Sequence, residues 1–206
     1  MESKGILVVV SGFAGAGKGT LMKKLLSNYD NYALSVSATS RQPRPGEEEG
    51  VSYFYKTKEE FEGMIEKGEL LEHACYVGNY YGTPKKFVEE KLDAGKDVVL
   101  EIEIQGAMQI KKKFPEALLL FVMPPSAEIL KNRLVGRGTE TAEVIDKRMK
   151  RAAEESEGIE NYDFIVINDD IEKCTESMHN IIQAAKFMPL RQKNFIEEIQ
   201  KELKEI

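Results

Sequence analysis

The apolar run Ile6-Leu-Val-Val-Val10 leads into Gly12-Phe-Ala-Gly-Ala-Gly-Lys18-Gly-Thr20, and this junction decides the fold. A short, valine-rich apolar run predicts a buried strand. Glycines after such a strand let the backbone curl so that its N–H groups point inward and bind phosphate oxygens. The positive end of the next helix adds to this attraction, and Lys18 supplies a compact cation. We interpret 12–20 as a phosphate-binding loop; the alternative is a flexible glycine turn after a core strand.

Composition excludes several classes of protein. The chain has 206 residues, 42% hydrophobic and 31% charged, which suits one substantial core with small inserted subdomains. No apolar stretch approaches the roughly 20 residues that cross a bilayer, and no basic leader opens the chain. The net charge of −6 argues against a nucleic-acid surface. The two cysteines, Cys75 and Cys174, lie far apart in the sequence, so we expect reduced thiols in a cytoplasmic protein. The two histidines, His73 and His179, are isolated, so we expect no zinc site.

Apolar runs alternate with helical patterns, which predicts an α/β fold of three layers with a parallel core sheet. Predicted strands are 6–11, 33–36, 97–102, 117–123 and 163–167. Predicted helices are 18–27, 84–94, 105–113, 126–136, 141–157 and 171–186, with a tail helix near 190–204.

The alternation breaks in two places. Residues 37–83 are rich in tyrosine, proline and glycine and contain one short helical pattern near 58–67, which predicts a small mixed α/β insert. Around Gly136-Arg-Gly138 two helices meet at a glycine-flanked arginine, which indicates a helical lid. We therefore expect a core domain (1–36, 84–125 and 158–206), an insert (37–83) and a lid (126–157).

A phosphate grip is predicted within the insert. Arg41 and Arg44 lie three residues apart and alternate with two prolines that stiffen the backbone. Two guanidinium groups on such a segment can bind one phosphate, and Tyr53 and Tyr81 could add phenolic donors. The alternative is a solvated basic loop beside ordinary core tyrosines.

Three carboxylates next to apolar runs point to base recognition. Glu72 follows Leu70-Leu71, and Glu101 and Glu103 alternate with isoleucines, so we expect both to face one side at a strand's C-terminal end. A carboxylate there accepts the N1–H and N2–H₂ protons of guanine and repels the N1 lone pair of adenine. Glu101 could instead hold magnesium through water, and exposed charge is the plain alternative. Ser37 and Thr83 could offer hydroxyls to the base edge, although Thr83 fits a helix N-cap equally well.

Arginines of the predicted lid are candidates for neutralising phosphate charge. Arg133 and Arg137 lie four residues apart, and Arg148 and Arg151 three apart, so each pair can share a helix face. A helix exterior with salt bridges is the alternative, which we favour for Arg151. Asn168 follows the last predicted strand and could bond an adenine edge or cap the next helix.

Together these motifs resemble the guanylate kinase family, P-loop nucleoside monophosphate kinases that transfer phosphate from ATP to GMP. The resemblance covers about 5–186. It rests on the loop at 12–20 and on Ser35-Val-Ser-Ala-Thr-Ser-Arg-Gln-Pro-Arg-Pro-Gly46, Gly50-Val-Ser-Tyr-Phe-Tyr55, Gly78-Asn-Tyr-Tyr-Gly-Thr83, Glu101-Ile-Glu-Ile-Gln-Gly106, Gly136-Arg-Gly-Thr-Glu-Thr141 and Val166-Ile-Asn-Asp-Asp170.

The resemblance implies a role for each matching residue. It implies guanine recognition by Ser37, Glu72, Thr83 and Glu103, and GMP phosphate binding by Arg41, Arg44, Tyr53 and Tyr81. It further implies that Arg148 binds GMP and closes, with Arg133 and Arg137, over the transferred group. It implies ATP binding by Gly12, Phe13, Ala14, Gly15, Ala16, Gly17, Lys18, Gly19, Thr20, Arg133, Arg137 and Asn168. The implied catalytic residues are Lys18, Arg41, Arg137 and Arg148, and Mg²⁺ would arrive with ATP, with no direct protein ligand but with Thr20 and Glu101 within reach through water.

The chain departs from the family pattern in three places. Phe13-Ala14 replaces the usual Pro-Ser, Gly19 displaces the usual hydroxyl residue, and Glu103 stands where aspartate is common. We assign no role to the tail beyond Pro189. Two rival interpretations are a scaffold related to this fold, against which the intact Gly17-Lys18 argues, and a kinase for another small phosphate or ribosyl substrate.

Overall fold

The computed structural model describes residues 4–76, 78–136 and 141–205. The strands are β1 (Leu7–Gly12), β2 (Tyr32–Leu34), β3 (Ala38–Thr39), β4 (Phe54–Tyr55), β5 (Leu70–Tyr76), β6 (Asn79–Pro84), β7 (Asp97–Glu101), β8 (Leu118–Met123) and β9 (Phe164–Ile167). The helices are α1 (Lys18–Asn28), α2 (Lys58–Glu66), α3 (Lys85–Asp93), α4 (Ile104–Lys113), α5 (Ala127–Gly136), α6 (Ala142–Ser156), α7 (Ile171–Ala185) and α8 (Lys193–Glu205), with 3₁₀ turns at Ile159–Asn161 and Pro189–Arg191.

The larger sheet is five-stranded and entirely parallel, in the order β2-β7-β1-β8-β9. Its central strand β1 places Val8 between Val99 and Leu118. Val8, Val9 and Val10 are all fully buried, although successive residues of a strand point to opposite faces. Both faces are therefore covered, as expected when helices join parallel strands. The predicted α/β class and all five predicted core strands are confirmed.

A second sheet occupies the region where the alternation breaks. Its order is β4-β3-β6-β5, with β3 and β4 parallel and the other neighbours antiparallel. Phe61 of α2 is fully buried against Ala38 and Leu70, which gives this sheet a small core of its own. Thr57 and Glu60 form a reciprocal capping box that starts α2. The prediction of a mixed α/β insert is confirmed.

Helix α4 of the larger unit holds the edge of the second sheet. The Gln109 side chain donates from Nε2 to the His73 carbonyl at 2.8 Å and accepts from the His73 N–H at 3.3 Å. Lys113 Nζ donates to the Leu71 carbonyl at 2.7 Å. Among the described residues β5 is an edge strand, and side chains of α4 thus satisfy backbone groups on its open side. This contact fixes the strand that carries Glu72 against the core.

Helices α5 and α6 lie where the lid was predicted, and Thr141 caps α6 by accepting from the Val144 N–H. The predicted site residue Arg137 lies outside the described residues.

At the C-terminal end, α8 exposes Phe195, Ile199 and Leu203 along one side. Within the described ranges, no helix has the length and apolar character to span a membrane.

Candidate active site

Glycines shape the loop between β1 and α1. A Cβ on Gly12 would lie 2.0 Å from the Val122 carbonyl oxygen, so only glycine fits beside β8. Gly17 has a φ of 89° and ends the loop in a left-handed conformation, with no side-chain cap on α1. The positive end of α1 therefore begins directly at the loop, which favours an anion bound there. The geometry fits the phosphate loop predicted at 12–20.

Phe13 explains the first departure from the family pattern. Its ring is buried and packs edge-on against Phe121, with centroids 5.1 Å apart. Ala14 next to it is exposed. Phe13 therefore fixes the loop by packing its side chain into the core. A proline at this position would instead restrict the loop through its cyclic backbone.

The Lys18 side chain folds back over this loop. Its Nζ donates to the Gly12 carbonyl at 2.6 Å and to the Phe13 carbonyl at 3.3 Å. Glu101 at the end of β7 lies within electrostatic reach: burial raises the pKa of the Glu101 carboxyl, and the Lys18 charge opposes that rise. The ammonium group thus lies over the loop carbonyls, and its charge acts on the Glu101 carboxylate. Thr20 is exposed on the first turn of α1.

Asn168 stabilises the loop, and the alternative that it caps a helix is wrong. Its Nδ2 donates to the Ala16 carbonyl at 2.8 Å from a buried position. The cap of α7 is Asp170, whose carboxylate accepts from the Lys173 N–H. Arg133 donates to the Asn168 carbonyl at 2.8 Å, so both residues lie beside Ala16. Sequence reasoning missed this brace because 152 residues separate its two ends.

Glu72 is the most deeply buried carboxylate of the candidate site, with 3% of its surface exposed. Thr83 Oγ1 donates to its Oε1 at 2.7 Å. Burial raises the pKa of Glu72, while the Thr83 hydrogen bond and the Lys113 charge oppose the rise. A Cβ at Gly106 would lie 2.5 Å from Glu72 Oε2, so the glycine makes room for this carboxylate.

Thr83 and Glu103 differ from their predicted positions. Thr83 lies in β6, and α3 begins after Pro84 without a side-chain cap, so the N-cap alternative is wrong. β7 ends at Glu101, and Glu103 lies beyond it as the residue before α4. The predicted alternation of Glu101 and Glu103 on one strand face is therefore wrong. Glu103 is exposed and pairs with Arg151 at 3.1 Å.

The predicted phosphate grip forms a cluster centred on a residue that sequence reasoning missed, Glu47. Its carboxylate accepts from Arg41 Nη2 (2.8 Å), the Arg44 N–H (2.8 Å) and the Tyr55 hydroxyl (2.9 Å). These donors, the Arg41 guanidinium first, lower the pKa of the Glu47 carboxyl to about 2. The hydrogen bond to that carboxylate in turn raises the pKa of Arg41. The Arg41 side chain is therefore largely covered within this cluster, whereas Arg44 is exposed.

Tyrosines extend this cluster toward β5. The Arg41 guanidinium lies 5.2 Å from the centre of the Tyr53 ring, and the Tyr53 and Tyr81 rings are 6.0 Å apart. Ser37 is half-buried just before β3, and Arg148 is half-buried on α6. Within the part of the chain that the structure describes, no group of three or more His, Cys, Asp or Glu side chains could hold a metal ion.

Comparison with known proteins agrees with this arrangement. A family model described as guanylate kinase matches residues 4–185. The chain is 54% identical over 183 residues to a guanylate kinase of Halalkalibacterium halodurans, covering 89% of this chain and 90% of that one. It is 53% identical over 199 residues to that of Clostridioides difficile, covering 97% of both. The crystal structure of guanylate kinase from Anaplasma phagocytophilum superposes with a TM-score of 0.75 at 36% identity, covering 92% of this chain and 90% of that one. The chain therefore belongs to the guanylate kinase family.

Proposed function

We propose that this chain catalyses in-line transfer of the γ-phosphoryl group of Mg·ATP to a phosphate oxygen of GMP or dGMP, giving ADP and GDP or dGDP. Family membership makes it an ATP:GMP phosphotransferase. The observation that carries the finer proposal is the buried Glu72–Thr83 pair. It lies on the second sheet, which α4 fixes to the unit that carries the phosphate loop.

Base selection follows from the chemistry of Glu72. An ionised carboxylate accepts hydrogen bonds only, so it pairs with the N1–H and N2–H₂ donors of guanine. Adenine would place its N1 lone pair against the same oxygens and leave a buried charge unpaired. The site should therefore favour GMP over AMP by roughly 10⁴-fold or more. Thr83 orients the carboxylate, and we assign supporting contacts to the base to Ser37 and Glu103.

Phosphate binding and transfer fall to the cations. Arg41, Arg44, Tyr53 and Tyr81 hold the GMP phosphate, and the loop at 12–20 holds ATP. Lys18, Arg133, Arg137 and Arg148 neutralise charge that develops on the transferred group. The acceptor phosphate is anionic near neutral pH, so no general base is assigned. Mg²⁺ would come with ATP and contact Thr20 and Glu101 through water.

The proposal includes the division of the chain. The core comprises 1–36, 84–125 and 158–206, the GMP-binding insert 37–83 and the lid 126–157. Closure of the insert and lid would exclude water that otherwise hydrolyses ATP. We place the reaction in the cytoplasm, where the free thiols of Cys75 and Cys174 would stay reduced.

A panel of monophosphates tests the proposal. Purified protein with Mg·ATP should phosphorylate GMP and dGMP and leave AMP, CMP and UMP almost unchanged, as measured by ADP release. A preference for AMP would overturn the role of Glu72. Calorimetric titration with Mg·ATP separates the enzyme from a scaffold, because a scaffold would show no saturable site.

The loop offers a matched pair of glycine substitutions. Gly17→Ala should reduce ATP turnover by at least about tenfold, because the residue has a φ of 89° and its Cβ would lie 2.5 Å from Asn168 Nδ2. Gly19→Ala meets nothing within 4 Å, so it should fold normally and gain up to about 1 kcal/mol in helix stability. Turnover and thermal unfolding of both variants are the measurements. Equal activity in the two variants would contradict the role given to Gly17.

A further inference from the structure

Arg151 on α6 contacts two other parts of the molecule. Its Nη2 lies 3.1 Å from Glu103 Oε2 at the start of α4, and its guanidinium carbon lies 4.3 Å from the centre of the Tyr76 ring on β5. Its Nε also pairs with Glu155 on the same helix at 2.7 Å. One side chain therefore links α6, the core helix α4 and the edge strand of the second sheet. A salt bridge on a helix exterior accounts only for the Glu155 contact.

Tyr76 continues this link toward the GMP phosphate grip. The Tyr76 and Tyr81 rings are 6.4 Å apart, the Tyr81 and Tyr53 rings are 6.0 Å apart, and Arg41 lies over Tyr53. Together with Arg151, these four side chains form a continuous row of side-chain contacts. Packed side chains of this kind can transmit a displacement from one element to another.

We propose that Arg151 is a positioning residue that couples α6 to the GMP side of the cleft, through Glu103 and Tyr76. The inference rests on the proposed function because it uses the assignment of Glu103 to guanine. Arg151 donates to Oε2 of Glu103 and thereby holds the carboxylate in one orientation. Because α6 also carries Arg148, the same contact ties the placement of a phosphate-binding arginine to GMP binding.

Arg151→Met tests the proposal because methionine keeps most of the apolar length and removes the charge. An exposed ion pair and a cation–π contact together predict a GMP dissociation constant raised about three- to tenfold. The dissociation constant for the ATP analogue adenylyl-imidodiphosphate with Mg²⁺, measured alone, should not change. Arg151→Lys should recover part of the loss, since it restores the charge without the planar fork. Isothermal titration calorimetry measures all of these constants.

Lys150→Met is the matched control, because Lys150 is exposed on the same helix. It should leave both dissociation constants unchanged. Glu103→Gln completes a double-mutant cycle, and if Arg151 acts through Glu103 the Arg151→Met effect should shrink in the Glu103→Gln background. Additive effects would overturn the proposal.

The remaining outcomes separate the inference from the proposed function. If Glu103→Gln weakens GMP binding and Arg151→Met does not, the coupling is absent and the base assignment stands. If Arg151→Met weakens both nucleotides equally, its role is general stability and the inference fails. If the wild-type protein does not phosphorylate GMP in the same preparation, the proposed function itself fails.

Discussion

Lys18→Ala is expected to lower kcat for GMP phosphorylation by at least two to three orders of magnitude, about the loss that follows removal of one preorganised charge-stabilising donor. Lys18 Nζ lies over the phosphate loop, where it donates to the Gly12 and Phe13 carbonyls. Without Lys18, the loop would no longer supply a side-chain cation to stabilise the negative charge that develops on the transferred group. Steady-state kinetics with saturating GMP and ATP measures the effect.

The fold should survive this substitution. Lys18 is only half-buried, and the loop retains its core anchor Phe13 and its brace Asn168. Lys23→Ala, at an exposed position of the same helix, is the matched control and should keep wild-type kcat. Wild-type turnover in Lys18→Ala would refute its role at the outer phosphates. A fall in melting temperature much larger than that of Lys23→Ala would assign Lys18 to the fold instead.

Glu72→Gln is expected to weaken GMP binding by about 2–3 kcal/mol, or roughly 30- to 150-fold, which is the cost of leaving buried hydrogen-bonding groups unpaired. The amide would offer one acceptor and present N–H₂ toward the donors of guanine. Calorimetric titration with GMP gives the affinity. Glu69→Gln, exposed just before the same strand, should bind GMP normally. Unchanged affinity in Glu72→Gln would place base recognition elsewhere.

The pH dependence gives an independent check of Glu72. Burial raises the folded-state pKa of its carboxyl above the unfolded value, so the folded state binds the proton more tightly. The free energy of unfolding of the wild type should therefore fall, relative to Glu72→Gln, as pH rises from the ordinary glutamate value through the raised pKa. Wild-type GMP affinity should change in the opposite sense and weaken as pH falls through that pKa. Denaturant unfolding and GMP titration at matched pH values measure both trends, and parallel curves for the two proteins would contradict the assignment.

Local patterns predicted the larger sheet and the loop well, because both depend on neighbouring residues. Five apolar runs correspond to β1, β2, β7, β8 and β9, and the glycines of 12–20 follow β1 directly. The two-residue strands β3 and β4 are too short for any periodic signal. The sequence predicted the insert from composition and could not give its strand order.

The sequence could not predict contacts between residues that lie far apart in the chain. The Arg151–Glu103 pair spans 48 residues, and Thr83 bonds Glu72 across a sheet whose register no local pattern reveals. Glu47 was missed because one more glutamate in a run of three carries no signal of its own. Gly106 had a usable signal: a glycine inside a helical pattern is costly and indicates close approach of another group.

The attachment of β5 to α4 has a mechanical consequence. β5 is fastened at Leu71 and His73, whereas β4 forms the opposite border of the same sheet. An inward swing of that sheet would pivot near its fastened border, so that displacement would grow with distance from α4. Glu72, to which we assign guanine recognition, would then move little, while the segment that carries Arg41 and Arg44 would move farthest. Such a lever would let the base dock first on a stationary surface and bring the cations onto the phosphate afterwards.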